Sequence, residues 1–250
     1  MANPPDAGSA QALGARFDTT QWSLVLLAGA SADSPEARQA MACLCSTYWY
    51  PLYVFIRRQG HQAHDSEELT QEFFARFLDR DFLGAVDKSR GKFRTFLLAC
   101  CRHFLANQRE YAQARKRGGG YPVLSLDFSG AHERYQQEPT SSWTAEKLFE
   151  RRWALTLLDQ VLRQLRQEFS AQNKGDLFEH LRTVLVGESH ALSYAQIGTS
   201  VGMSEDAVKK AAQRLRQRYG LLLREQIAAT VDERSMIDDE IRDLFAALSG

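Results

Sequence analysis

Lys209, Lys210, Gln213, Arg214, Arg216 and Gln217 fall on the side of a helical stretch opposite Val208, Ala212 and Leu215, within SYAQIGTSVGMSEDAVKKAAQRLRQR at residues 193–218. Cations at that spacing meet phosphates, and guanidinium and amide groups hydrogen-bond base edges in a major groove. A second set, Arg94, Arg102, His103, Asn107, Gln108 and Arg109 with Tyr111 beyond, combines cations for phosphate, flat groups for stacking and amides for base edges. That is the chemistry of holding bases that have left the stack. A third set is acidic. Asp65, Glu68, Gln71 and Glu72 beside edges of Leu69 or Phe74 suit a basic helical partner, through charge pairs around an apolar contact. A hydrolase or nuclease needs convergent acids, a nucleophile with its base, or metal ligands, and here such groups are scattered over helix faces. No enzymatic activity is expected.

The elements that must position these groups are helical. In the first stretch Gly198 admits a close helix approach, Gly202 takes the positive φ of a tight turn, and Val208 seals the second helix, with Ser204 as its N-cap. The spacing is that of a helix-turn-helix; a helical hairpin with a solvated basic face has the same pattern. After Gly91, residues Phe93, Phe96, Leu97, Cys100 and Phe104 form a core-facing stripe, and the helix runs on to Arg115, Lys116 and Arg117 before Gly118–Gly120 end it. The acidic helix begins near Asp65 and turns Leu69, Phe73, Phe77 and Leu78 inward. An earlier helix opens at Ser34 and Pro35 and carries Ala40, Leu44, Tyr48, Leu52 and Phe55, with an interruption or kink at Pro51 unless packing tolerates the lost hydrogen bond.

Helical pattern resumes at Thr144 with Trp153, Leu157, Val161 and Leu165, then at residues 176–186, and the helix after Ser204 extends through Leu221–Leu223. The expected fold class is all-α: two helical domains joined by a flexible linker, the second a helix-turn-helix, winged-helix-like but without evident strands. The expected boundaries are a disordered 1–16, a first domain at 17–117, a linker at 118–145, a second domain at 146–224 and an acidic tail helix at 225–250. That tail, with Ile237, Ile241, Leu244 and Phe245 on one side, either covers the basic recognition helix or simply packs.

Composition narrows the class. The chain has 250 residues, 44% of them hydrophobic, and 31 basic against 31 acidic side chains, which excludes a uniformly basic nucleic-acid coat. Charge is segregated instead: Arg90 to Arg117 contains the single acid Glu110, whereas Asp65 to Asp81 and Glu225 to Asp243 are predominantly acidic. Such blocks imply more than one macromolecular partner. No apolar run approaches the roughly 20 residues that span a bilayer, and the N-terminus lacks signal-peptide features, so the expected compartment is the cytoplasm. Cys43, Cys45, Cys100 and Cys101 lie in apolar helical patterns and read as small hydrophobes. With His61, His64 and His103 they offer no CxxC spacing, and neither metal nor cofactor is expected.

Taken in order, DSEELTQEFFARFL, GKFRTFLLACCRHFLANQREYAQARKR and the terminal glycine-turn motif resemble bacterial RNA polymerase sigma factors of the extracytoplasmic-function type, over residues 40–117 and 146–222. The resemblance implies that the first segment docks on core polymerase, the second melts and reads the minus-ten element, and the third reads the minus-thirty-five element. It implies core RNA polymerase and promoter DNA as partners, and admits an anti-sigma protein. This chain departs from the family's commoner residues at His103, often Asn, and at Gly198, often Ala. A stand-alone regulator would use the same third motif without polymerase, usually as a dimer on paired half-sites.

Overall fold

The structure is a computed structural model and describes residues 35–77, 91–107, 126–138, 143–187, 192–231 and 233–249. The expected disorder of 1–16 and the basic end at 115–117 lie outside them. Regular structure is helical, as the 3.6-residue periodicity dictates: α1 Pro35–Arg58, α2 Ala63–Phe77, α3 Phe93–Ala106, a short α4 Ala131–Gln136, α5 Ala145–Ala171, α6 Gly175–Leu185, α7 Tyr194–Val201, α8 Glu205–Ala228, a 3-10 turn Arg234–Met236, and α9 Ile237–Ser249. Among the described residues there is no strand, and one isolated antiparallel bridge joins Lys92 to Val231. None of the described helices is long and apolar enough to cross a membrane.

The described residues of Met1–Leu155 and Ile227–Gly250 make one compact unit, and Thr156–Gln226 make a second. In the first, α1 continues through Pro51 to Arg58. Its neighbours explain why. Tyr48, Leu52, Tyr53, Val54, Phe55 and Ile56 are fully buried, each contributing about 1.5–3 kcal/mol, which outweighs the roughly 3 kcal/mol cost of an internal proline. The α3 stripe Phe93, Phe96, Leu97, Cys100 and Phe104 is buried as its spacing requires. The Phe73 ring lies 5.5 Å from Phe77 and 5.7 Å from Phe104, and Phe93 lies 5.4 Å from Tyr48, so α1, α2 and α3 share one aromatic core.

Residues 126–138, expected within a flexible linker, are folded onto α1. Phe128 packs edge-on against Trp49 at 5.3 Å and Tyr135 against Tyr53 at 6.3 Å. Tyr50 donates a hydrogen bond to the buried carboxylate of Glu138 at 3.1 Å, and Arg152 pairs with the same group. Two aromatics and a buried acid in this stretch have more to gain by docking than by solvation, which the surrounding Gly, Ser and Pro obscure. The C-terminal helix α9 likewise belongs to the first unit and is not a separate tail.

In the second unit, Leu157, Val161 and Leu165 of α5 are buried, as are Leu177, Phe178 and Leu181 of α6, Ile197 of α7, and Val208, Ala212 and Leu215 of α8. Phe169 and Phe178 meet at 5.6 Å and tie α5 to α6. This small core holds α7 and α8 as a pair.

Candidate nucleic-acid interface

Local chemistry fixes the α7–α8 turn. Ser193 caps α7 by accepting the Gln196 N–H at 3.3 Å, while the Gln196 side chain accepts the Ser193 N–H at 2.9 Å, a reciprocal capping box. Gly202 ends α7 at φ +69, and the Met203 N–H donates to the Gly198 carbonyl at 2.8 Å. A Cβ on Gly198 would stand 2.5 Å from the Met203 carbonyl oxygen, so the close approach itself excludes a side chain. Ser204 then accepts the Ala207 N–H at 3.3 Å and opens α8.

On the outer side of α8, Lys209, Lys210, Gln213, Arg214 and Gln217 are exposed. They are not equally available. Lys209 is engaged by Glu205 at 2.8 Å, a hydrogen bond that raises its pKa, and Asp206 lies 3.9 Å away. Lys210 and Arg214 have no ion-pair partner among the described residues. Both border a cleft of about 820 Å³ within this unit, with Lys174 and the apolar Phe169, Leu177 and Met203 among its walls. Arg216 donates to the Tyr194 hydroxyl at 3.1 Å, and Arg218 makes a two-pronged pair with Glu168 at 3.0 and 2.7 Å. These two arginines fasten α8 to α7 and α5. The free set is therefore Lys210, Gln213, Arg214 and Gln217, at i, i+3, i+4 and i+7 on one face.

On α3 the expected contacts divide. Arg102 is exposed and pairs with Glu146 at 2.6 Å, a hydrogen bond that holds the Glu146 carboxyl below its usual range. Exposed His103 lies one turn before Asn107, whose amide nitrogen sits 3.1 Å from His103 Nε2. Gln108 and Arg109 lie outside the described residues. Arg94 is different: it is 5% exposed and surrounded by Glu150, Glu240 and Asp243. It is removed from the set of surface contacts.

On α2, Asp65 and Glu68 are exposed, with His64 3.5 Å from Glu68, while Gln71 and Glu72 are half-buried and Glu72 is held by Arg76. Leu69 and Phe74, expected to lend apolar edges to a partner, are buried instead. They share the inward side of α2 with Phe73 and Phe77, and Phe74 packs 5.5 Å from Phe73. The outward chemistry of α2 is thus polar only.

Burial pushes the Cys45 and Cys100 thiols up to about 12, so neither offers a thiolate near neutral pH. Among the described residues no three His, Cys, Asp or Glu side chains are grouped to hold a metal. Sequence reasoning missed the partners of Arg94. A signal was present: Glu240 falls on the apolar side of its helix, one turn from Leu244, and an acid there demands a buried cation. Comparisons with protein-family models, curated proteins and solved structures give no match to this chain.

Proposed function

We propose that this chain is a promoter-specificity subunit of bacterial RNA polymerase, a sigma factor of the extracytoplasmic-function type. The observation that carries the reading is the outer face of α8, where Lys210, Gln213, Arg214 and Gln217 stand exposed behind a turn held tight by Gly198 and Gly202. In this reading α7 and α8 form a helix-turn-helix whose second helix enters the major groove of upstream duplex, each good bidentate contact contributing about 1–3 kcal/mol of discrimination. Arg102, His103 and Asn107, with Gln108 and Arg109 following, meet the bases of the melted minus-ten strand. Asp65 and Glu68, flanked by Gln71 and Glu72, dock on a basic helix of core polymerase.

The two units act as two domains, each reading weakly, and their tethering converts two weak contacts into useful affinity. Catalysis remains with the polymerase, in the cytoplasm; an anti-sigma protein would act by covering either reading face. The test is a selection of duplex fragments retained by core polymerase together with this chain. Retained fragments are expected to share two spaced motifs, and retention to need both proteins. Paired half-sites retained by the chain alone would make it a stand-alone regulator instead.

A further inference from the structure

The C-terminal helix α9 is seated mainly by charge. Glu240 is fully buried and accepts hydrogen bonds from Arg94 Nε at 2.7 Å and Nη2 at 3.0 Å, and it pairs with Lys92 at 3.1 Å. Asp243, half exposed, accepts from Arg94 at 2.8 Å and also pairs with Lys92. Glu150 of α5 takes a further edge of the guanidinium, which lies 4.5 Å over the Trp153 ring. Burial opposes the charge on Arg94, but the hydrogen bond to Glu240 and the charge of Glu150 outweigh it and raise its pKa. The carboxyl of Asp243 is half exposed; burial pushes it up, and the hydrogen bond from Lys92 more than reverses that.

Apolar packing in this seat is shallow, with Ile237, Ile241 and Leu248 only half-buried. Leu244 is the one buried apolar side chain of α9, and Phe245 is 52% exposed. Ala246 and Ala247 border a gap of about 320 Å³ shared with Arg94, Trp143, Lys147 and Glu150. A buried ion pair nets little once desolvation is counted, so a helix held by one fully buried leucine, the half-buried Ile237, Ile241 and Leu248, and a charge cluster is far more weakly seated than the aromatic core of α3. The chain before α9 is anchored separately: Val231 is buried and bridges to Lys92, and the Phe93 N–H donates to the Thr230 carbonyl at 2.9 Å.

We propose that α9 is a displaceable acidic latch over a phosphate-binding patch: Lys92 and Arg94, at the head of α3, hold the carboxylates of Glu240 and Asp243 when closed and take backbone phosphates of nucleic acid when α9 is released. Arg94 grips the Glu240 carboxylate by two parallel hydrogen bonds, the same fork by which a guanidinium takes a phosphate. Asp238 and Asp239 lengthen the anionic run of α9, so a polyanion competes with it directly. The patch would lie just over two turns before Arg102 on the same helix, turned about 80° around it from Arg102, so it would add phosphate contacts beside the strand-binding set instead of lengthening one face. The inference rests on the proposed nucleic-acid role of α3.

The experiment uses the full chain, a chain ending at Glu233, and a full-length E240Q/D243N variant, each with and without Arg94→Ala. Binding of a fluorescent oligothymidine strand is measured across a salt series, alongside amide hydrogen exchange of α3 and α9. Release of the latch is expected to tighten strand binding about tenfold at low salt and to steepen the salt dependence by one to two counterions, roughly. Arg94→Ala is expected to erase that gain. In the full chain, α9 is expected to exchange faster as salt rises while α3 stays protected. Unchanged strand affinity after latch removal, with α3 still protected, overturns the proposal. Should the shortened chain lose α3 protection, the E240Q/D243N variant carries the same expectation. If no form binds the strand, the nucleic-acid reading of α3 and the phosphate half of the proposal fall together, and exchange alone judges the latch: local opening of α9 keeps it, opening only together with α3 overturns it.

Discussion

Arg94 on α3 and Arg214 on α8 are arginines flanking buried apolar stripes, yet they meet opposite fates. Arg94 is enclosed by three carboxylates, and Arg214 stands exposed with no ion-pair partner among the described residues. Residue type does not separate them. What separates them is the acid delivered by neighbouring elements: Glu150 and Asp243 reach Arg94 from 56 and 149 residues away along the chain. On α8 the nearby acids Glu205 and Asp206 sit one turn too early and engage Lys209. A cation on a basic helix face is therefore most available to a partner where the rest of the fold supplies no counter-charge.

The largest test of that contrast is the Lys210→Ala/Arg214→Ala double variant. Its affinity for a selected promoter duplex is expected to fall by roughly 30-fold to 10⁴-fold, the sum of two contacts of about 1–3 kcal/mol each. Lys209→Ala, whose charge is already engaged by Glu205, is expected to cost less than about threefold under the same conditions. Equal losses in anisotropy titrations would erase the distinction between free and paired cations.

Arg94→Ala probes the other side. With α9 fixed in place, an uncompensated Glu240 would cost about 3–5 kcal/mol. Because α9 can leave, the loss in urea unfolding is expected to stay below that figure, at the docking energy of α9, to which the burial of Leu244 contributes about 1.5–3 kcal/mol. Duplex affinity through α8 is expected to stay within about twofold. Gly198→Ala separates the two units again. The new methyl meets the Met203 carbonyl, and the second unit is expected to lose about 1–3 kcal/mol while the first keeps its unfolding midpoint.

The smallest effect concerns pH. The hydrogen bond from Arg218 holds Glu168 below the usual glutamate value of 4.5, so the pair's contribution is complete above that value and is lost as pH falls through the lower folded pKa. Thermal melts of the second unit are expected to show a decline below about pH 4.5 of under about 1 kcal/mol, the pair being partly solvated. Glu168→Gln should flatten it. A decline of unchanged size in that variant would assign the acid sensitivity to other groups.

The helices themselves were legible in the residues. The stripe from Phe93 to Phe104 needed only its spacing, and Gly198, Gly202 and Ser204 declared the α7–α8 turn through backbone chemistry that local sequence controls. Four features were not local. Pro51 stays helical because six flanking side chains are buried by other elements. Residues 126–138 fold because Trp49, Tyr50 and Tyr53 of a distant helix accept them. Phe74 joins Leu69 on the inward side because the aromatic core reaches further around α2 than its period alone indicates. Arg94 lost its expected surface role to acids far along the chain.

Run-off transcription by bacterial core RNA polymerase on a pooled promoter library, with and without this chain, tests whether it confers promoter specificity. Chain-dependent transcripts whose promoters share two spaced motifs are expected, lost in the Lys210→Ala/Arg214→Ala variant while its binding to core polymerase persists. An absence of chain-dependent transcripts, with duplex DNA still bound by the chain alone, would contradict the sigma-factor reading.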